Sequence, residues 1–329
     1  MNLDPRPIKS ELKSYRINPE PEKPSRWSFL KVLRESNFRM FFPEINPYAE
    51  VYKFRDNLYC IFTEGLMKGC GDMWHYLIVG PEKAMLIDTG FGVGNLKALC
   101  EHFTGNKEII VVNTHMHLDH IGGNLWFDKV YCHEYDKEAI EESIRPDFIT
   151  SAVLDKDGNP KDTWFDVNDL PPFHKYEVIG VREGYKWDLG DGYIVEMVHL
   201  PGHTPGQSGF YDHQSKCLFI GDTTSAFGPK EGEKHPECCT IRALRDSVKD
   251  VLNRFGDEIS GVFPGHGTID LHPVSLQYLV DCAERILEHP DWYDTRKVFR
   301  FGDHEVIFYA KMIYQQGSDL KYTMKGVGN

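Results

Sequence analysis

The chain has 329 residues, 41% hydrophobic and 26% charged, an ordinary globular composition with length enough for a sizeable core. Its formal net charge of −13 argues against nucleic acid as a partner, which demands a basic face. No apolar run is long enough to span a bilayer, and Met1-Asn2-Leu3-Asp4-Pro5-Arg6-Pro7 lacks the apolar core of a signal peptide, so a cytoplasmic protein with no membrane partner is expected.

Residues 1–46 are rich in proline and charge, most densely at Pro19-Glu20-Pro21-Glu22-Lys23-Pro24. They read as an extended N-terminal arm with one short helix near 27–36, ahead of a domain spanning 47–329. Strand patterns at 57–63, 74–79 and 84–87, with a turn at Gly80-Pro81-Glu82-Lys83, suggest a β-meander. Val93, Leu96, Leu99, Cys100 and Phe103 fall at helical spacing, which predicts a helix over 93–103. A β-branched run at 109–113 reads as a buried strand, followed by a strand at 129–132 and a helix at 137–144. Residues 145–188 lack clear periodicity and read as a lid insertion. Trp164, Phe165 and Phe173 within it suit an apolar pocket wall; packing of a subsidiary core is the competing reading. Strands are then expected at 193–200, 208–211, 216–220 and 261–263, with an amphipathic helix through Leu244, Val248, Val251, Leu252 and Phe255. Pro273 starts a C-terminal extension, 273–329, with one helix and a strand-like run at 305–310. The eight cysteines are scattered, with no Cys-x-x-Cys pair, as expected of reduced thiols.

The chain's chemistry is densest at Thr114-His115-Met116-His117-Leu118-Asp119-His120-Ile121-Gly122-Gly123. Three imidazoles and one carboxylate within six residues point to metal. His115 and His117, two apart, leave an extended segment on the same side. Asp119 and His120 are adjacent and point differently, which suits a second metal. Gly122 and Gly123 allow the backbone to turn tightly. Asp88, Asp222 and His266 also follow short apolar strands, and His203 follows one after a Pro-Gly turn. Leaving Asp88 aside, five histidines and two carboxylates remain. One zinc takes about four ligands, so this set suits two metals.

These motifs resemble the metallo-β-lactamase superfamily. The His-x-His-x-Asp-His signature is met by His115, His117, Asp119 and His120. Asp88-Thr89-Gly90, the Gly-His-Thr-Pro-Gly at His203, the Gly-Asp-Thr at Asp222 and the Gly-His-Gly at His266 follow in the family's order, over roughly residues 57–270. The resemblance implies an α/β fold, an αββα sandwich of two mixed β-sheets flanked by helices, with the site on one sheet edge. It implies that His115, His117 and His203 bind a first metal and Asp119, His120 and His266 a second, with Asp222 bridging. Asp88 would hydrogen-bond a ligand histidine and fix its orientation. The oxygen and nitrogen ligand set looks like the glyoxalase II and lactonase branch, and it accommodates Zn, Fe or Mn. The expected activity is dinuclear, metal-dependent hydrolysis of a small ester, thioester or lactone by a metal-bridging hydroxide, with Asp119 orienting the nucleophile or shuttling a proton. The alternatives are an iron-dependent oxidoreductase of sulfur-dioxygenase type, which needs one iron, and a phosphodiesterase or nuclease. The flavin-dependent relatives need a further domain, for which about 60 residues after Gly267 are too few.

Overall fold

Apolar side chains fill nearly every position of the central strands because each sheet is covered on both faces. In Met73–Val79, Trp74, Tyr76 and Ile78 point into a core between two sheets, whereas Leu77 points to a helical layer outside. The computed structural model describes residues 10–17, 29–68, 70–105, 107–301, 304–313 and 319–328. The proline-rich stretch at Pro19–Pro24 and the start of the expected 27–36 helix lie outside the described residues.

The first sheet has eight strands in the order Glu177–Val181, Lys129–His133, Glu108–Val112, Lys83–Ile87, Met73–Val79, Leu58–Thr63, Ala49–Arg55 and Arg39–Met40. Its first four strands are parallel and the remaining pairings antiparallel. The second sheet has five strands, Lys186–Asp188, Ile194–His199, Ser208–Asp212, Cys217–Gly221 and Gly261–Pro264, with only the last pair parallel. Both sheets are therefore mixed. Their inner faces meet through Tyr76, Phe210, Phe219 and Phe263. Helices Leu96–Thr104 and Glu134–Glu142 cover the outside of the first sheet. Helices Ile241–Phe255 and Val274–Glu288 cover the second. This is the expected αββα sandwich.

Three expectations change. Residues 145–188 are not one insertion. Glu177–Val181 forms an edge of the first sheet and Lys186–Asp188 an edge of the second. Their apolar runs are too short to stand out in the sequence. What remains outside the two sandwich sheets holds a helix, Phe148–Val153, and a short strand, Thr163–Trp164, paired with Tyr15–Arg16. The described N-terminal residues pack onto the sandwich. Leu12, Leu30 and Leu33 join the inter-sheet core, and Arg34 pairs with fully buried Glu50 at 2.9 Å. The C-terminal strands Thr295–Phe301, His304–Met312 and Asp319–Tyr322 join Ser225–Ala226 in a third sheet, where the sequence suggested a single strand. Among the described residues, no helix is long and apolar enough to cross a membrane.

Candidate metal centre

Each candidate ligand sits just past a strand of the sandwich. Asp88 follows Lys83–Ile87, and the His115–His120 loop follows Glu108–Val112, both in the first sheet. His203, Asp222 and His266 follow Ile194–His199, Cys217–Gly221 and Gly261–Pro264 of the second. Backbone bonds tie the two edges together: the Ser208 N–H donates to Thr114 O at 2.8 Å and the Trp74 N–H to Gly265 O at 2.9 Å.

The side chains converge in three overlapping groups: His115, His117 and His203; His115, His120 and Asp222; and Asp119, His120 and His266. Within each, the candidate ligand atoms lie within 4.8 Å of one another. In the first group His117 Nδ1 is 3.0 Å from His115 Nε2 and 2.8 Å from His203 Nε2. In the third, His266 Nε2 is 3.5 Å from Asp119 Oδ2. Asp222 stands between the groups. Its Oδ1 is 3.4 Å from His120 Nε2, and its Oδ2 lies 3.8 Å from His203 Nε2 and 3.4 Å from His266 Nε2.

The far side of each ring explains which nitrogen faces inward. Asp88, 2% exposed, accepts the Thr114 N–H on Oδ1 at 2.7 Å. On Oδ2 it accepts the Thr114 hydroxyl and His120 Nδ1–H, both at 2.8 Å. The hydroxyl's single proton is thus given to Asp88, so Thr114 Oγ1 accepts His115 Nδ1–H at 3.0 Å. His266 Nδ1–H donates to Asp72 O at 2.9 Å, and Ser225 Oγ bonds His203 Nδ1 at 2.6 Å. Nε2 of His115, His120, His203 and His266 is left facing the centre.

Burial lowers His117 to about 4 and, with His117 beside it, His203 to about 3; burial and His120 hold His115 well below the imidazole range. These three rings are neutral and present lone pairs. Burial works against charge on His266 too, but Asp222 and Asp119 push it up to about 10. Burial opposes ionisation of Asp222, yet His266 and His120 hold it well below the carboxylate range. His120 Nε2 and Asp222 Oδ1 are buried without a hydrogen-bond partner among the described residues. Buried polar atoms are normally satisfied, and a divalent cation satisfies both. The donor set of imidazoles and carboxylates fits such ions.

All seven expected ligands and Asp88 are brought together. Gly122 and Gly123 are needed for close approach rather than for unusual torsions. A Cβ on Gly123 would lie 2.2 Å from Thr89 O. The three expected pocket aromatics stand in different surroundings. Phe165 is 1% exposed and packs with Tyr48, Leu66, Phe91 and Val93. Trp164 stacks on Tyr15 at 5.2 Å, and Phe173 is 41% exposed. One ring beside the cluster, among the described residues, is Phe227, 5.7 Å from the His203 ring. No local pattern marks Phe227, Ser225 or Asp136 in the sequence. Asp136, 1% exposed, accepts the Met116 N–H at 3.1 Å, the Thr204 hydroxyl at 2.8 Å and the Gly206 N–H at 2.7 Å. It thereby joins the His115–His117 loop to the His203 loop.

Residues 74–293 match the family model of the metallo-beta-lactamase superfamily. The chain is 28% identical over 166 residues to the human acyl-coenzyme A thioesterase MBLAC2, an alignment covering 45% of this chain and 56% of that protein. It is 27% identical over 218 residues to the hydroxyacylglutathione hydrolase GloC of Haemophilus influenzae, covering 64% of this chain and 91% of that one. Among solved structures, the DIM-1 metallo-beta-lactamase superposes with a TM-score of 0.50 at 21% identity, covering 73% of this chain and 98% of that one. The matched region contains every candidate ligand, and the chain belongs to the metallo-beta-lactamase superfamily.

Proposed function

We propose that this protein is a dinuclear, metal-dependent hydrolase of thioesters. The observation that carries the reading is the placement of Asp222, whose carboxylate oxygens lie 3.8 Å from His203 of the first ligand group and 3.4 Å from both His120 and His266 of the second. His115 Nε2, His117 Nδ1 and His203 Nε2 would hold one divalent ion; Asp119, His120 and His266 would hold the second, and Asp222 would serve both. Zinc suits this set, and iron or manganese is compatible with it. Ions held there supply Lewis acidity, lowering the pKa of water to about 7 and polarising a carbonyl.

The chain's own residues do the rest. Thr114, Asp88, Ser225 and the Asp72 carbonyl hold the rings in one orientation, so little reorganisation accompanies reaction. The Asp119 carboxylate would orient the attacking water and take its proton. Water oxygen bonds to the acyl carbon, the carbon–sulfur bond breaks, and a proton passes to the departing thiolate, giving an acid and a thiol.

The choice of thioesters is supported by the two relatives above, whose named substrates, acyl-coenzyme A and hydroxyacylglutathione, are both thioesters. The test is a panel of thioesters, lactones, phosphodiesters and sulfate esters, with metal content measured on the same sample. The expected result is thioester turnover that a chelator abolishes and added metal restores. Turnover confined to phosphodiesters would contradict the reading.

A further inference from the structure

The third sheet turns one face towards the metal centre, and its register identifies the side chains on that face. Ser225, which bonds His203 Nδ1 at 2.6 Å, pairs in parallel with Lys321. Lys321 pairs with Ala310, and Ala310 with Thr295. Side chains directly opposite one another in a sheet leave on the same face, as do residues two apart along a strand. Phe308 lies two residues before Ala310 and pairs with Lys297. The face presenting Ser225 to His203 therefore also presents Lys321, Phe308 and Lys297. Ring contacts agree: Phe227 lies 4.9 Å from the Phe308 ring and 5.7 Å from that of His203. The opposite face carries Tyr309 and Tyr322, which pack into the core around Val274–Glu288.

Phe227 and Phe308 are half-buried, while Lys297 and Lys321 are exposed. Among the described residues, neither lysine has a carboxylate within ion-pair distance. Asp319 shares the face on the far side of Lys321 from Phe308. On a chain of net charge −13, two free cations flanking aromatic rings beside a candidate ligand form an anion-receptive, partly apolar surface.

We propose that this face seats the leaving-thiol half of the substrate. The apolar stem of a thiol carrier lies on Phe227 and Phe308, and its anionic end, a phosphate or carboxylate, is met by Lys321 and Lys297. Three strand spacings, about 14 Å, separate the strand of Ser225 from that of Lys297. A carrier that uses both lysines therefore has a stem of many bonds. The inference rests on the thioesterase reading and narrows its substrate to thioesters of long anionic thiols.

Two measurements on the metal-loaded full chain test it. The first is kinetic, comparing thioesters of one acyl group on coenzyme A, on glutathione and on neutral N-acetylcysteamine. The double variant Lys297→Gln/Lys321→Gln should raise KM about three- to tenfold for the carrier the site accepts. It should leave kcat, metal content and the KM of the neutral thioester unchanged, and the difference should vanish at about 0.5 M salt. Whether the effect falls on coenzyme A or glutathione identifies the anion as phosphate or carboxylate. Phe308→Leu, which preserves an apolar residue in the strand, should also raise KM for the accepted carrier. The second measurement is calorimetric binding of desulfo-coenzyme A and S-methylglutathione, which cannot react. Absence of turnover on every thioester defeats the thioesterase reading alone. Equal binding of both probes to wild type and double variant, or an equal KM change for the neutral thioester, overturns the docking face.

Discussion

His120 Nε2 and Asp222 Oδ1 face each other at 3.4 Å, both buried and both without a hydrogen-bond partner among the described residues. Their outer contacts differ: His120 Nδ1–H is held by Asp88, whereas the second oxygen of Asp222 reaches towards His203 and His266. Asp222→Ala should therefore lower metal occupancy and reduce kcat by about 10²–10³-fold, with the sandwich still folded. His174→Ala serves as the control, since among the described residues His174 bonds the Phe127 carbonyl and reaches Asp128 at 3.8 Å. Wild-type turnover by Asp222→Ala at saturating metal would show that the carboxylate is dispensable.

Asp136 tests whether the loops, and not only the ligands, set the site. Asp136→Ala strands the Met116 and Gly206 N–H groups that it now satisfies. The expected cost is about 1–3 kcal/mol for each stranded group, together with weaker metal retention in chelator competition. Gly206→Ala should act similarly, because a Cβ there would lie 2.6 Å from Asp136 Cγ. Unchanged melting and metal retention in both variants would remove Asp136 from the account.

Glu64, which is not one of the candidate ligands, supplies a pH dependence. Burial pushes its carboxyl up to about 7, while the Ser14 hydroxyl donates to it at 2.8 Å. A carboxyl whose folded pKa is raised favours the folded state fully below its unfolded pKa, near 4.5, and that contribution is lost as pH rises through about 7. Glu64→Gln should match wild type near pH 4.5 and be more stable by about 1–3 kcal/mol at pH 8. Denaturant melts across this window check the sign; a variant less stable at pH 8 contradicts it.

Phe165→Ala should cost about 3–5 kcal/mol, because the ring is 1% exposed among Tyr48, Leu66 and Val93. Substrate ranking should be unchanged. Altered ranking without lost stability would return this ring to the pocket wall.

The cluster of candidate ligands was legible because its residues are chemically dense and recur in a fixed order after short apolar runs. The αββα layering was legible for a similar reason: strands such as Met73–Val79 are buried on both faces, so their apolar content stands out. The edge strands did not show. Glu177–Val181 mixes exposed and buried positions, and Lys186–Asp188 is three residues long. Phe165 and Phe227 are equivalent as letters. Only the tertiary arrangement puts one in a core and the other beside His203. Asp136 was silent because its partners, Met116, Thr204 and Gly206, are distant in sequence and two are backbone donors.

On the proposed reading, one chain holds two ions between these residues. Elemental analysis of metal-replete protein, paired with the same measurement on His266→Ala, tests it most directly. Two ions per chain are expected in the wild type and one in the variant. One ion per wild-type chain, undiminished in His266→Ala, would contradict it.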